Sequence, residues 1–387
     1  MSFDTLWDTL APIGRVASGG YRRFAWTPVD AVLREWFAAE AAVRGLDVVT
    51  DRAGNQWAWW GSPMADRRGV VMGSHLDSVP DGGAFDGPLG VVSAFCALDT
   101  LRSRGFEPAR PIGVACFGDE EGARFGVACA GSRLLTGALP ADRGLALTDG
   151  NGVPMASAMR SAGFDPSEVG RDDDALRRVG TFVELHVEQG RALGELDRPV
   201  AVGSSILAHG RWRLDLAGEA NHAGTTRLAD RRDPMLDLAA AVTTARSAAE
   251  ARGCVATVGK VAVVPNGVNA IPSAVTAWLD ARGDAARAVA TDVGRAAGVT
   301  PVEESYTPDT RFDPGLVTRL SRLLGDAPVL GTGAGHDAGI LAAAGIPAAM
   351  LFVRNPTGVS HSPAEHAEEA DCLAGVAALA RVVQELA

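Results

Sequence analysis

Paired cysteine is missing from this chain. Its five thiols, Cys96, Cys116, Cys129, Cys254 and Cys372, are odd in number and scattered, and no two form a Cys-x-x-Cys pair. That argues against both a disulfide framework and a thiolate zinc site, and makes a reducing cytoplasm the expected location. Positive charge is also short: 36 basic residues stand against 47 acidic ones, a net charge of −11. Neither nucleic acid nor anionic lipid is therefore the expected partner, and an anionic substrate would need a local positive site. No apolar run approaches the roughly 20 residues that span a bilayer, and the opening MSFDTLWDTL carries acids where a secretory leader carries bases. Neither export nor membrane anchoring is expected. Internal repeats, low-complexity linkers and any Ser or Cys nucleophile arrangement are absent too.

What the chain does have is length and apolar content. At 387 residues, 47% of them hydrophobic, it exceeds the usual size of one core, so two domains are expected. The first half alternates short apolar strands (Gly69–Gly73, Pro111–Gly118, Thr181–Val187) with helical spacing over Pro88–Arg104. This pattern predicts an α/β fold with a mainly parallel sheet covered by helices, where functional residues gather at the carboxyl ends of strands. From about His209 the style changes. Arg211–Ala217 alternates polar with apolar, Asp233–Arg252 reads as a long amphipathic helix, and Val255–Val264, Ala274–Asp280, Asp284–Ala297 and Val299–Ser305 complete a β-α-β-β-α-β order. That order predicts an α+β ferredoxin-like layer at 209–313, inserted into a discontinuous catalytic domain formed by 1–208 and 314–387.

Five places concentrate His, Asp and Glu at predicted strand ends or in Gly-rich turns. They are His75 with Asp77, Asp86, the triplet Asp119-Glu120-Glu121, His186 and His361. A lone histidine is usually a hydrogen-bonded structural residue, but five such places at the ends of apolar strands point to a metal centre. The donors are imidazole and carboxylate, which suits Zn²⁺, Mn²⁺ or Co²⁺ in a hydrolytic site. Two cations sharing a carboxylate can lower the pKa of a water held between them and polarise a carbonyl together. In the Glu120-Glu121 pair one carboxylate can bind metal while the other stays free as a base. A merely solvated acidic turn would not follow the apolar strand Ile112–Phe117 so closely, since three buried acids are costly without cations.

The motifs HLD (75–77), DGPLG (86–90), FGDEEGARFG (117–126), ELHVEQG (184–190), GEANHAGTT (218–226), GAGHDA (333–338) and GVSHSPAEH (358–366) occur in a telling order. From about Gly19 to Glu369 the chain resembles the M20-type metallopeptidase superfamily, in the branch of allantoate amidohydrolases and N-carbamoyl-L-amino acid hydrolases. The resemblance implies two divalent metal ions, one held by His75 and His186, the other by Glu121 and His361, with Asp86 bridging both. It implies Glu120 as general base and Asp77 as the residue that orients His75. His186 separates branches, because many peptidases of the superfamily place a carboxylate at this step.

The resemblance further implies that His222, in a lid motif, reaches the active site of a homodimer partner and polarises the reacting carbonyl. Asn269 and Arg282 match positions that hold the substrate carboxylate, a role suited to a guanidinium fork beside an amide. Gln189 and Gly358 are expected to line the pocket, His336 and Asp337 to support the metal ligands, and His366 to lie on a surface helix. His209 falls near the junction of the two predicted domains, and Gly19–Arg23 resembles the N-terminal loop of the family. The implied reaction is hydrolysis of a ureido or N-carbamoyl amide beside a carboxylate, releasing ammonia and carbon dioxide. Alternatives are N-formyl or N-acyl amino acid hydrolysis, a peptidase of the same superfamily and, remotely, a metal-free binding protein on this scaffold.

Overall fold

The computed structural model describes residues 2–64 and 66–387. Its contacts divide the chain into two units: one runs up to Ser205 and resumes at Arg311, and the other is Ile206–Thr310.

In the first unit, strands Ile112–Phe117, Gly69–His75, Val179–Val187 and Ala348–Val353 lie side by side in that order, each parallel to its neighbour. They are buried almost throughout, so their sequences read as apolar runs rather than alternating ones. The predicted α/β class, with a mainly parallel sheet, is what this centre shows. Antiparallel strands extend it on both sides. Gln56–Trp60 and Asp47–Thr50 lie beyond Ile112–Phe117, and Val200–Ile206 lies beyond Ala348–Val353. The sequence reading does not anticipate Gln56–Trp60, since its first four residues are all buried and period-2 alternation is lost.

Helices Pro88–Ser103 and Glu369–Leu386 pack on each other and on the central strands. Strand alternation sends Leu185 toward the latter helix, where a Cβ on Gly375 would lie 3.2 Å from its Cδ1. Glu184 and His186 point to the opposite face, where Glu184 accepts the Ala338 N–H at 2.9 Å. That face carries the site.

The second unit is a four-stranded sheet in the order Val302–Thr307, His209–Ala217, Ala274–Arg282, Val255–Val264, with every neighbour antiparallel. Helices Pro234–Arg252 and Ala286–Ala296 pack on it, and the chain order is the β-α-β-β-α-β pattern of a ferredoxin-like layer. Trp212, Leu214 and Leu216, buried at every second position, meet Leu238, Ala241, Ala245 and Ala248 of the long helix in one core. Strand and helix periodicities converge there. Asp233 caps that helix by accepting the Met235 N–H, Pro234 opens it, and Gly253 ends it at φ +62°. The strand expected at Val299–Ser305 begins later, at Val302, because the Val299 N–H closes the preceding helix by bonding to the Gly294 carbonyl. Among the described residues no helix is long and apolar enough to cross a membrane.

Candidate metal centre

Four carboxyl ends of parallel strands supply the site, as open α/β sheets favour. His75 ends its strand and His186 lies one residue from the end of the neighbouring one. The Asp119-Glu120-Glu121 turn leaves Ile112–Phe117, and the loop bearing His361 follows Ala348–Val353. Asp86 enters from the turn before Pro88–Ser103. Gly87 there has φ +85°, and a Cβ on it would sit 2.4 Å from His75 ring atoms; only glycine lets that turn cross the imidazole.

Asp86 is the centre of the group. Its Oδ1 lies 3.1 Å from His186 Nε2 and 3.6 Å from His75 Nε2. Its Oδ2 lies 3.4 Å from His361 Nε2, which is 3.6 Å from Glu121 Oε2. The result is two three-residue donor sets, His75/Asp86/His186 and Asp86/Glu121/His361, each with donor atoms within 4.8 Å of one another and sharing Asp86. Glu120 stands beside them, its Oε2 3.7 Å from His75 Nε2 and its Oε1 3.3 Å from the Cys129 thiol. His361 carries a left-handed φ of +54°, a backbone conformation that clusters at functional sites.

Whether cations fit is answered by the buried atoms. His75 Nε2, His186 Nε2 and Glu121 Oε1 are buried and form no hydrogen bond, although buried polar atoms are normally satisfied. Burial, helped by Asp86, pushes the Glu121 carboxyl up to about 7. Burial likewise drives Glu120 well above the usual range, with Asp337 and Glu121 adding to it against the opposing His75. Burial works against the Asp86 charge as well, yet the imidazoles of His186, His361 and His75 hold its carboxyl well below the usual range. The Asp86 hydrogen bond lifts His361 to about 9. So many carboxylates facing unpartnered imidazole nitrogens form a donor set that divalent cations would neutralise.

The surrounding hydrogen bonds show how the donors are held. His75 Nδ1 lies 3.2 Å from the Asp77 carbonyl and 3.4 Å from its Oδ1. The Asp77 carboxylate also accepts the Glu120 and Glu121 N–H groups, at 3.1 and 3.0 Å, tying the acidic turn to the histidine strand. Gln189, expected to line the pocket, donates to Asp86 Oδ2 at 2.9 Å, while its own Oε1 is buried without a partner. Gly358, at φ +67°, has no room for a side chain, since a Cβ would lie 2.1 Å from Arg191 Cγ.

His336 is buried with its ring centroid 4.5 Å from that of His186, and burial holds it well below the usual imidazole range. Asp337 meets Ser132 Oγ at 2.5 Å. His366 is half exposed beside Glu368, but in the loop that precedes helix Glu369–Leu386 rather than on a helix as expected. The Gly19–Arg23 loop is fastened to the His75–Asp86 connection: Tyr21 N–H bonds to the Gly82 carbonyl, and Arg23 N–H to Ser78 Oγ. The sequence reading missed Glu365 and Ser360. Glu365 is buried and accepts the Phe85 and Asp86 N–H groups at 3.0 and 2.9 Å. The acid inside GVSHSPAEH was the available signal.

The remaining predicted residues belong to the second unit. His222 and Asn269 are joined by a short antiparallel ladder in which Ala270 pairs with His222 and the Ala223 N–H bonds to the Asn269 carbonyl. His222 Nδ1 accepts the Gly224 N–H at 3.0 Å, so its Nε2 carries the proton and is a donor. Arg282 ends a strand of the larger sheet and is held by Asp280, Nε to Oδ1 at 2.8 Å, a pairing the sequence reading did not foresee. His209 Nδ1 lies 3.0 Å from the Leu207 carbonyl.

The model of the peptidase family M20/M25/M40 matches residues 71–385. The N-carbamoyl-L-amino acid amidohydrolase of Geobacillus stearothermophilus is 37% identical, with 99% of this chain and 98% of that protein covered. The allantoate amidohydrolase of Escherichia coli strain K12 is 31% identical over 98% of this chain and 96% of its own length. A crystal structure of an amidase of the hydantoinase/carbamoylase family from Burkholderia vietnamiensis superposes with a TM-score of 0.88 at 29% identity, covering 99% of this chain and 97% of the other.

Proposed function

The chain belongs to the M20/M25/M40 peptidase family, and from that premise we propose that it is a metal-dependent amidohydrolase that cleaves the ureido or N-carbamoyl amide of a small carboxylate. The observation that carries this reading is the pair of donor sets sharing Asp86 with Glu120 beside them. His75 and His186 would hold one divalent ion, Glu121 and His361 the other, and Asp86 both. Zn²⁺, Mn²⁺ and Co²⁺ all suit these donors. When bound, such ions polarise the scissile carbonyl and make a water acidic at neutral pH.

Glu120 takes the proton of the attacking water and passes it to the leaving nitrogen, a task suited to a carboxylate standing beside both donor sets. His222 Nε2–H donates to the carbonyl oxygen as negative charge develops there. The five unpaired thiols fit a reducing cytoplasm. The test is ammonia and amino-acid release from N-carbamoyl-L-amino acids and allantoate, and amino-acid release from N-formyl and N-acetyl amino acids and dipeptides, after metal loading. Ureido substrates should lead by about tenfold or more in kcat/KM. A chain that turned over only the acyl substrates or peptides would overturn the ureido reading, and one that turned over none would return it to a binding protein.

The substrate carboxylate is read by Arg282 with Asn269. Asp280 pairs with the guanidinium, Nε to Oδ1 at 2.8 Å and Nη2 to Oδ2 at 3.4 Å, which restrains the plane of the fork. Arg282→Lys keeps charge and loses the fork. KM should rise by about 10- to 100-fold, the worth of a charge-assisted bond, and the preference for a free acid over its amide should shrink in parallel. An unchanged acid-to-amide ratio would show that the carboxylate is read elsewhere.

The inserted unit is the homodimer contact. Val255–Val264 lies at the edge of its sheet with Val255, Val261 and Val264 exposed, a template for pairing with a second copy. His222 then serves the partner's site. Mixing His222→Ala with Glu120→Gln subunits, each inactive alone, should restore about a quarter of wild-type activity, since half of the random dimers carry one complete site out of two. No recovery under verified subunit exchange, or full activity in a monomer by light scattering, would contradict it.

A further inference from the structure

The donors of the two proposed ion sites are anchored differently. His75 and His186 sit at the ends of paired parallel strands, and the sheet itself fixes them. Asp86 and His361 come from two loops that are 275 residues apart in the chain (361 minus 86) and have no strand pairing of their own to hold them together. Glu365 spans both loops. Its Oε1 accepts the Phe85 and Asp86 N–H groups at 3.0 and 2.9 Å, and its Oε2 lies 3.2 Å from the hydroxyl of Ser360, the neighbour of His361. Ser360 Oγ also lies 3.3 Å from Asp86 Oδ2 and accepts from Gln189 Nε2 at 3.2 Å. A hydroxyl has one proton to give, so with Gln189 donating to both Ser360 and Asp86, the Ser360 proton is free to serve Glu365. The fit is close: a Cβ on Gly83 would lie 2.4 Å from Glu365 Oε1.

We infer that Glu365 is a positioning residue that assembles the Asp86/Glu121/His361 ion site by clamping the loop of the bridging carboxylate to the loop of His361. The inference rests on the two-ion reading above. The clamp works through reach and acceptor geometry. A glutamine keeps both, with its Oε1 on the two amides and its NH₂ toward Ser360, whereas an aspartate keeps the charge but is one methylene too short to touch both loops.

The experiment loads the full-length protein with Mn²⁺ and measures ions bound per chain, their affinities by calorimetry, and the spin-coupled dinuclear signal by electron paramagnetic resonance. Wild type and Glu365→Gln should bind two coupled ions. Glu365→Asp should keep the His75/His186 ion, whose two histidines the sheet holds, with a smaller loss, lose about tenfold or more in affinity for the second, and show an uncoupled Mn²⁺ spectrum. Glu365→Leu should match the aspartate variant, and if it fails to fold the Gln and Asp pair still decides. An aspartate variant with two coupled ions at wild-type affinity would overturn the clamp, as would a glutamine variant as defective as the aspartate. A wild type that bound fewer than two ions would instead sink the two-ion reading from which the inference starts.

Discussion

Glu120→Gln should lower kcat by about two to four orders of magnitude, the usual worth of a positioned base, while leaving two ions bound. The substitution keeps the shape of the side chain and its reach toward the donor sets, so Asp86, His75 and His186 stay as they are. What it removes is the carboxylate proposed to accept the proton of the water. The neighbouring Glu121→Gln should behave otherwise. Glu121 Oε2 belongs to the donor set with Asp86 and His361, and an amide is a far poorer ligand for a hard divalent ion. The second ion should go, and activity with it. Metal content measured beside turnover distinguishes the two: equal metal loss in both variants would refute the division of labour between base and ligand.

Chelation should abolish turnover, and Zn²⁺, Mn²⁺ or Co²⁺ should restore it. The sequence has no nucleophile arrangement that could replace the ions, and the buried Asp86 and Glu120 carboxylates face the His75 and His186 Nε2 atoms, which form no hydrogen bond. Binding that favours the folded state also stabilises it. At a hundredfold excess over Kd one ion contributes about 2.7 kcal/mol, so melting should shift down by several degrees on chelation and return with the metal. Full turnover in protein shown by elemental analysis to be metal-free would refute the reading, and an unchanged melting temperature would contradict the linkage.

Much of the donor set was legible because metal binding needs few residue types and those types are rare at the ends of apolar strands. His75, His186 and the acidic triplet after Ile112–Phe117 follow directly from that rule. Asp86 and His361 stood out only within their Gly- and Ser-rich motifs, since loops have no periodicity to mark which residue turns inward. Gln189 shows the limit of reading roles from position. Its amide is committed to Asp86 and Ser360, which a motif does not reveal.

The sequence by itself determined the two kinds of layer and the chemistry of the donors. Burial on both faces of a strand leaves an apolar run, burial on one face leaves alternation, and both patterns are written locally. Which donor shares which neighbour was decided only by the tertiary structure. Asp86 became the carboxylate common to both donor sets, Asp77 the tie to the acidic turn, Asp280 the holder of Arg282 and Glu365 the link between two loops. Apart from the neighbouring Asp280 and Arg282, these pairings join residues up to 280 positions apart. No local pattern encodes such a distance; it exists only once the parallel strands have packed and brought their carboxyl ends to one place.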